Sequence, residues 1–435
     1  MITRGGGGLP SNNRDKLPIL ITGTRAPVAL DIARRLAAAG HPVFAAESVD
    51  FHLCRVSRAI VRSYRVPKPN RDREGYLTAI RRIVQEQRIG MIIPTCEEVF
   101  HLAQGKAFIE LGTGCKVLCE PIDQLDRLHS KWKFIEHLAS NGILTPYTER
   151  VESMDELEEK LGSGRFSGRV VLKPEYSRFS AKVRIIELDQ PKLSERLALW
   201  RREGQGEEDI SPSLPWVVQQ YIAGTPLCTY TIAHEGRVTA HACYTPTFTA
   251  GLGAGIHMGA VQHDELWCWV KEFAAQERFT GQLSFDFIVS AHDGRLYPIE
   301  CNPRATSGVH LLPHHDDAFA GAIIGTTNPT GLSGSISSIV SPDDGQLPLF
   351  PEPGASCMLG AAMLLFGASQ LRHPRRWRAW ASAFRHSRDI IFRLDDPRPS
   401  VEQFRILLET MRIAKSERVS ILEASTIDLE WNGSL

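Results

Sequence analysis

The sequence predicts a mixed fold, in which an α/β domain with a parallel sheet precedes an α+β domain. Short apolar strands alternate with amphipathic helices through residues 17–125, which is typical of a wound parallel sheet. Residues 126–330 change to strands joined by short turns, and the segment 283–304 is the clearest hairpin among them. The length of 435 residues also exceeds what one hydrophobic core usually serves. We therefore expect two or three domains.

The elements of the first domain follow one another in strand and helix order. Residues 18–23 form a buried strand that ends in a turn, and residues 27–39 form the helix that follows. The turn at 22–25 has one glycine where a dinucleotide-binding fingerprint needs three, so an NAD site is not expected. Further strands are predicted at 42–47, 91–94 and 117–119, with a helix near 76–87.

The elements of the second domain begin with a helix at 130–139, for which Ser130 is a suitable N-cap. Residues 168–174 form a strand that ends close to Lys173, and a strand at 216–222 leads into a turn. Antiparallel strands at 227–233 and 238–244 and a helix at 266–278 precede the hairpin.

The hairpin at 283–304 places acidic side chains opposite one another. Its turn at 290–294 contains an Asp-Gly pair between apolar runs, which is a strong hairpin signal. If the turn centres on Asp293, Asp286 lies opposite Glu300, and Asn302 shares their face. Two facing carboxylates repel each other unless one binds a proton or a cation lies between them. Carboxylate and amide oxygens suit Mg²⁺, so this face predicts a metal site; the alternative is a surface hairpin with solvated acids.

Composition narrows the function classes. Fifty basic and fifty acidic residues leave no net charge, which argues against nucleic-acid binding through bulk charge. The nine cysteines are scattered without a zinc spacing, so reduced intracellular thiols are expected rather than a disulfide framework. Residues 1–16 contain a glycine run and no apolar core, which predicts a flexible tail and not a signal peptide. We therefore predict a cytoplasmic protein that does not bind nucleic acid.

The region 331–435 is predicted to be a linker and a C-terminal extension. Residues 333–353 are rich in Gly, Ser and Pro, and the apolar run at 357–366 is too short to span a bilayer. Six arginines at 372–388 are interleaved with aromatic residues. This pattern predicts either a core helix followed by a solvated basic helix, or an amphipathic segment that makes peripheral contact with an anionic membrane.

Several polar groups occur in an order that suits ATP. The ammonium groups of Lys131 and Lys173 can offset phosphate charge. The loop at 175–180, which includes Ser180, can close over phosphates with its hydroxyl and backbone N–H groups. Backbone groups at the strand end 219–222 can bind an adenine edge, and the carboxylate hairpin can hold Mg²⁺ between phosphates. Each lysine alone could be a surface charge, whereas the combination predicts an ATP site.

These motifs resemble those of the ATP-grasp ligases over most of residues 17–310. The similarity is carried by Ser-Lys at 130–131, Val-Leu-Lys-Pro at 171–174, Gln-Gln-Tyr-Ile at 219–222 and Ile-Glu-Cys-Asn-Pro-Arg at 299–304. It implies a Rossmann-like pre-ATP-grasp domain at 17–125 and an ATP-grasp domain of two lobes at 126–330. It also implies that an oxygen nucleophile takes the γ-phosphoryl group and that an amine then displaces phosphate to form a C–N bond.

The site residues that we expect fall into four groups. The ATP-binding residues are Lys131, Lys173, Ser180, Gln219, Gln220, Tyr221 and Ile222; the metal ligands are Asp286, Glu300 and Asn302; the catalytic residue is Arg304; and the substrate residues are Phe248 and His257. Arg304 would stabilise charge on the transferring phosphoryl group, although a salt bridge at the end of the hairpin is an alternative role. ATP and Mg²⁺ are the expected cofactors, and Mn²⁺ would also suit the metal site.

Within the superfamily the chain is most similar to the ligases that join glycine to a cyclohexenone in mycosporine biosynthesis. It departs from the superfamily at Gln220, where many members have an acid, and near Cys228, which cannot replace an anionic ribose ligand. The segment 245–259 is rich in glycine and differs from the mycosporine enzymes. We expect it to be a mobile loop, or a segment whose backbone approaches a ligand closely, and to contact the acceptor through Phe248 and His257; the alternative is a flexible surface connection.

The predicted function is therefore an ATP- and Mg²⁺-dependent ligase of natural-product biosynthesis. It would join an amino-acid amine to a small carboxylate or enol through a phosphorylated intermediate. The alternative is a non-catalytic protein that senses ATP at a membrane surface through the arginine-rich segment.

Overall fold

The protein, seen here in a computed structural model, is built around three β-sheets. The first is parallel, and the other two are largely antiparallel, which confirms the predicted combination of α/β and α+β structure. The structure describes residues 16–177, 182–188, 197, 210–250, 254–325, 347–367 and 374–433. The predicted tail at 1–16, apart from its last residue, and the linker up to residue 346 lie outside the described residues.

The first domain alternates strands and helices. Its elements are β1 (Ile19–Thr22), α1 (Pro27–Ala38), β2 (Val43–Glu47), α2 (Leu53–Val56), β3 (Arg62–Arg65), α3 (Arg73–Gln87), β4 (Met91–Ile93), α4 (Glu98–Gln104), α5 (Lys106–Glu110) and β5 (Lys116–Val117). The parallel strands lie in the order β3-β2-β1-β4-β5, so the chain leaves β1 on one side and returns to it on the other with β4. The carboxyl ends of β1 and β4 therefore flank a crevice at the point where the strand order reverses. Strand β1 is buried along its whole length, because both faces of the sheet are covered.

The first lobe of the second domain contains a small sheet. The elements of this region are α6 (Ile122–His129), α7 (Lys131–Ser140), β6 (Thr148–Val151), α8 (Met154–Gly162), β7 (Arg169–Pro174), β8 (Arg184–Glu187) and β9 (Trp216–Gln220). The four strands lie in the order β6-β9-β7-β8. Their apolar side packs against α8 in a core of its own, centred on Trp216 and Leu157. Helix α7 begins where the sequence predicts it, because the Ser130 side chain accepts a hydrogen bond from the backbone N–H of Lys133.

The second lobe carries the largest sheet. Its elements are β10 (Gly224–His234), β11 (Arg237–Ala250), β12 (Ala254–Ala260), α9 (Asp264–Gln276), β13 (Gly281–Ser290), β14 (Leu296–Asn302), the 3₁₀ helix η1 (Ser307–Leu311) and α10 (Asp316–Ile324). Helices α6, α7 and α9 share a core with one face of this sheet. Helices α1 and α10 and η1 share a core with the other face. The first domain is therefore packed directly against the sheet that holds the hairpin.

The glycine-rich segment at 245–259 differs from the expected loop. It forms the paired ends of β11 and β12, with Thr245 opposite Gly259 and Phe248 opposite His257, while residues 251–253 lie outside the described residues. Glycine lowers strand propensity, but the ladder satisfies backbone groups that a loop would leave to solvent. The prediction of a mobile loop is thus wrong for the described part of this segment.

The C-terminal extension adds to the same sheet. Its elements are β15 (Ser356–Met358), α11 (Gly360–Gly367), α12 (Pro374–His386), β16 (Arg388–Asp389), α13 (Arg398–Glu417) and α14 (Ile421–Ala424). Strand β15 pairs with β12, and β16 pairs with β15. Helix α13 returns to the first domain, where the Glu409 carboxylate accepts a hydrogen bond from the backbone of Phe51. None of the helices in the described part of the chain is long and apolar enough to cross a membrane.

Candidate functional site

The acidic hairpin has the register that its sequence predicts. Asp286 on β13 pairs with Glu300 on β14, and Ser284 pairs with Asn302. A β-bulge follows Asp286, and bulges often occur where a strand directs a side chain into a site. The two acids therefore face each other on one side of the sheet.

The two carboxyl groups differ in their electrostatic surroundings. Burial and the nearby charge of Glu300 raise the pKa of Asp286 to about 6. Burial would also raise the pKa of Glu300, but the ammonium groups of Lys131 and Lys173 lower it overall. The pair is best satisfied by one proton or by a cation, as the sequence predicts. Cys228 of β10 lies opposite Asp286, and its thiol opposes the rise in the pKa of that carboxyl.

Two lysines from different elements reach this pair. Lys131 is the first residue of α7, is buried, and places its Nζ 3.8 Å from Glu300 Oε2 and 3.3 Å from the carbonyl oxygen of Ser177. Lys173, near the end of β7, donates a hydrogen bond of 3.1 Å to the carbonyl oxygen of Ile299. Burial lowers the pKa of Lys173 to about 8, although Glu300 opposes this shift. Buried ammonium groups held mainly by carbonyl oxygens are suited to an anionic ligand.

Asn302 and Arg304 extend the site along β14. The Arg304 guanidinium donates a hydrogen bond of 3.0 Å to Asn302 Oδ1, and the Asn302 amide lies 3.4 Å from Glu300 Oε1. Arg304 Nε is buried and has no hydrogen-bond partner among the described residues. Arg304 contacts an amide rather than a carboxylate here, so the geometry does not show the salt bridge that was the alternative role.

Residues 219–222 include the end of β9 and the first residues of the turn that leads to the second lobe. The buried Gln219 donates from its amide to Thr148 Oγ1 at 3.1 Å, so this side chain is used within the small sheet. The exposed Gln220 accepts from the backbone N–H of Tyr147 through its Oε1 atom. Tyr221 stacks under the Arg169 guanidinium at 4.0 Å, and Ile222 is half-buried beyond the end of β9. An adenine ring bound here would therefore contact the backbone and the side chains other than that of Gln219.

The predicted substrate residues are not part of this cluster, and Ser180 lies outside the described residues. Phe248 and His257 form an edge-to-face pair with ring centroids 5.7 Å apart, and His257 Nε2 lies 2.8 Å from Ser387 Oγ. Both rings pack toward α11 and α12 of the C-terminal extension. Their predicted role in acceptor binding stays a prediction.

The structure adds residues that the sequence does not point to. Glu175, directly after β7, accepts hydrogen bonds from the Ser130 hydroxyl and from Arg150 Nε and so ties the small lobe to the start of α7. Asp126 of α6 accepts from Tyr176 at 2.9 Å and from the indole of Trp431 at 3.0 Å. Alternation along β10 could have revealed Cys228, but no local pattern indicates that Trp431 lies here.

The donor set fits a divalent cation. In the part of the chain that the structure describes, no cluster of three His, Cys, Asp or Glu residues could hold a metal ion. Asp286 and Glu300 provide two carboxylates, and Asn302 Oδ1 provides a third oxygen on the same strand face. Oxygen-only sites with few carboxylates are typical of Mg²⁺ that also binds phosphate oxygens.

Comparison with known proteins supports the fold. No family model matches the sequence, and no curated protein sequence matches it. The structure is similar to N5-carboxyaminoimidazole synthetase from Staphylococcus aureus, at 14% identity and a TM-score of 0.56, over 83% of this chain and 88% of that one. It is also similar to L-amino acid ligase from Bacillus licheniformis, at 17% identity and a TM-score of 0.52, over 71% and 75% of the two chains.

A third similar structure is phosphoribosylamine–glycine ligase from Thermotoga maritima. It matches at 15% identity and a TM-score of 0.54, over 78% of each chain. These similarities, together with the two lobes and the hairpin in the large sheet of the second lobe, define the fold as ATP-grasp.

Proposed function

We propose that the protein is an ATP- and Mg²⁺-dependent ligase that joins an amino-acid amine to a small carboxylate or enol. The observation that carries this proposal is the Asp286–Glu300 pair, which faces two buried lysines from separate elements. Such a concentration of opposed charges in one place is costly for stability and is typical of a site for charged ligands. The phosphates of a nucleotide would balance the charges of the two lysines, and its Mg²⁺ would balance the charges of the two carboxylates.

The reaction would proceed in two balanced steps. The acceptor oxygen attacks the γ-phosphorus of ATP, the bond to the β–γ bridging oxygen breaks, and ADP leaves. The amine nitrogen then attacks the activated carbon of the phosphorylated acceptor. The carbon–oxygen bond to the phosphate breaks, phosphate leaves with the electron pair, and the nitrogen loses its proton to a base or to solvent.

The residues of the cluster would act by binding and by charge. Lys131 and Lys173 would bind phosphate oxygens, and Asp286, Glu300 and Asn302 would hold Mg²⁺. Bound Mg²⁺ would neutralise charge on the nucleotide phosphates. Arg304, with a free Nε beside this face, would stabilise charge on the transferring phosphoryl group. Residues 219–222 and Ser180 would provide the remaining contacts to the nucleotide.

The similar structures support this reaction class. Two of them are named as ligases, an L-amino acid ligase and a phosphoribosylamine–glycine ligase, and N5-carboxyaminoimidazole synthetase from Staphylococcus aureus is also known as an ADP complex. A biotin carboxylase domain with a TM-score of 0.52 contains MgADP. We extend these properties to the present chain as a proposal, including a role in natural-product biosynthesis close to the mycosporine ligases and a cytoplasmic location.

A second candidate is a nucleotide sensor that touches a membrane. Leu364, Leu365 and Phe366 at the end of α11 are exposed, as is Trp377 at 45%. Residues 353–388 contain six arginines and no acidic residue. Exposed apolar side chains beside basic ones suit an anionic lipid surface. This surface could also serve an active ligase, so it does not by itself favour the sensor.

A screen for ADP release tests the proposal. Purified protein is incubated with Mg²⁺, ATP, single amino acids and a panel of small carboxylic acids and enols, and product masses are recorded. We expect ADP release that requires both an amine and an acceptor, with a product mass equal to their condensation. ADP release that never depends on an amine would contradict the ligase, and ATP binding without any ADP release would favour the sensor.

A further inference from the structure

The crevice at the carboxyl ends of the parallel strands is filled by the end of the chain itself. Ligands of open α/β sheets bind outside the strand ends where the strand order reverses, here between β1 and β4. Residues 425–433, which we call the C-terminal segment, occupy this place. They contact Arg25 after β1, Ser48 after β2 and Glu97 after β4.

The central contact is a two-point pair between a guanidinium and a carboxylate. Arg25 NH1 lies 2.7 Å from Asp428 Oδ1, and Arg25 NH2 lies 2.8 Å from Asp428 Oδ2. The hydroxyl of Ser48 donates a further hydrogen bond to Asp428 Oδ2. Both charged side chains are buried, at 9% and 4% exposure. An arginine with two parallel hydrogen bonds and a neighbouring hydroxyl is the arrangement by which proteins bind a carboxylate ligand.

The rest of the C-terminal segment is held by polar contacts and by two buried apolar side chains, Leu429 and Trp431. It follows the short helix α14 and contains no regular element. The Asn70 side chain donates to the carbonyl oxygen of Ile427 at 2.6 Å, and the backbone N–H of Trp431 donates to Glu97 Oε2 at 3.2 Å. Trp431 supplies the main apolar contact by stacking on Phe100. Polar contacts of this kind can be exchanged for those of a ligand or of water.

The crevice continues toward the candidate nucleotide site. The Trp431 indole and the Tyr176 hydroxyl both donate to Asp126 Oδ1. Tyr176 follows Lys173 by three residues, and Gly433 approaches the Tyr176 ring. His129 stacks on Phe100 and lies two residues before Lys131. A molecule in the crevice would therefore have one end near Arg25 and the other near the lysines.

The walls of the crevice carry polar atoms that the C-terminal segment leaves unused. Arg25 Nε, Glu98 Oε2 and His129 Nδ1 are buried and have no hydrogen-bond partner within the described ranges of the chain. Native proteins satisfy nearly all such groups with protein atoms or water. Their concentration around one crevice indicates a surface that is shaped for a polar ligand.

We propose that Arg25 and Ser48 form the binding site for a carboxylate of the second substrate, and that Asp428 occupies this site in the structure. The C-terminal segment must therefore leave the crevice before the substrate binds. The assignment of the ligand as a substrate rests on the ligase function proposed above, whereas the carboxylate site itself does not.

A matched pair of variants tests the carboxylate site without any enzyme assay. Arg25 binds two carboxylates, that of Asp428 and that of Glu47 at the end of β2, whose Oε1 lies 2.6 Å from Arg25 NH2. Asp428→Asn removes only the first of these charges. Asp396→Asn removes the charge from a second buried pair, in which Arg34 also binds the carbonyl oxygens of Ile390 and Ile391. Melting temperatures of the full-length variants are compared in acetate, glycine, succinate and chloride at equal ionic strength. We expect at least one carboxylate to raise the melting temperature of Asp428→Asn by several degrees relative to chloride, and to leave Asp396→Asn unchanged. An equal response of the two variants to every salt would overturn the proposal.

Kinetics with the acceptor found in the ADP-release screen then tests its link to catalysis. Because Asn is a weaker competitor for Arg25 than Asp, Asp428→Asn should lower the acceptor KM by about tenfold and leave the ATP KM unchanged. Asp396→Asn should change neither constant. An unchanged or raised acceptor KM in Asp428→Asn would show that the segment does not compete with substrate. If the screen finds no turnover, the ligase function fails, and the melting experiment still decides the carboxylate site.

Discussion

Asp286 in the hairpin and Asp31 in helix α1 are both aspartates enclosed by packed elements, and their surroundings are opposite. Asp31 accepts from His310 Nδ1 at 2.7 Å and lies 3.4 Å from Arg35 Nε and 3.7 Å from Arg388. Burial would raise the pKa of Asp31, but the charge of Arg35 and the other partners hold it well below its usual range. Asp286 faces another acid, and burial together with Glu300 raises its pKa to about 6.

The contrast separates an acid that stabilises the fold from one that is available to a ligand. The partners of Asp31 come from α1, η1 and the C-terminal extension, so this aspartate joins three parts of the chain. The cations near Asp286 are lysines that contact backbone carbonyl oxygens, and the acid beside it adds repulsion. A site that keeps unbalanced charge is held in place by the surrounding structure, as is common where ligands bind.

The largest effect on stability should come from Asp31→Asn. The substitution leaves Arg35 and Arg388 without their buried counter-ion, and breaking such a pair typically costs about 3–5 kcal/mol. Unfolding in urea, followed by far-UV circular dichroism, measures the loss. Asp293→Asn, in the exposed hairpin turn, is the isosteric control and should change stability by less than about 0.5 kcal/mol. Equal stability of the two variants would remove Asp31 from its structural role.

Glu300→Gln should abolish turnover with little effect on folding. The change removes a metal ligand, and it also removes the like charge that raises the pKa of Asp286. Asp286 stays ionised at neutral pH and keeps one negative charge near Lys131 and Lys173. ADP release should fall more than about a hundredfold, as when a preorganised charge is lost from an active site. Melting curves recorded beside Glu265→Gln, an exposed control on α9, would expose a folding defect, and wild-type turnover would exclude Glu300 from the metal site.

Lys173→Met should weaken ATP binding. Loss of one charge-assisted contact to a phosphate costs roughly 1.5–3 kcal/mol, which is about one to two decades in affinity. Titration calorimetry with ATP and Mg²⁺ measures this change. Lys271→Met, on the exposed side of α9, should bind ATP like the wild type. If both variants bind equally well, Lys173 has only a structural role on β7.

Phe248→Ala and His257→Ala should have the smallest effects. If these side chains contact the acceptor, the variants change its KM or kcat a few-fold and leave ATP affinity unchanged. If they only pack β12 against the C-terminal extension, both variants lose stability and handle every substrate like the wild type. Steady-state kinetics combined with melting temperatures separates the two roles.

Local patterns in the sequence predict the hairpin site well. An Asp-Gly turn and a period of two residues predict the hairpin and the pairing of Asp286 with Glu300. The structure reaches this pairing through the β-bulge after Asp286, which the sequence pattern does not indicate. The N-cap at Ser130 places Lys131 at the start of a helix for a similar local reason.

Contacts between distant segments are not predictable in this way. Arg25 and Asp428 are 403 residues apart, and neither lies in a pattern that indicates the other. The hairpin of β11 and β12 was also missed, because glycine reduces the propensity for strand and only pairing with neighbours stabilises the ladder. In both cases tertiary structure supplies information that single-sequence periodicity lacks.

The separate core of the small sheet has a mechanical consequence. Lys131 belongs to a helix that shares its core with the large sheet, whereas Lys173 belongs to the small sheet, whose apolar residues form a core of their own. The two ammonium groups therefore belong to parts of the structure that have separate hydrophobic cores. A hinge motion at residues 219–222, where the chain passes from the first lobe to the second, would change the distance between the two ammonium groups. Both hydrophobic cores would stay intact during this motion. Such a hinge would let the two phosphate-binding ammonium groups move apart when the small sheet moves away from the large sheet, and approach each other when it returns.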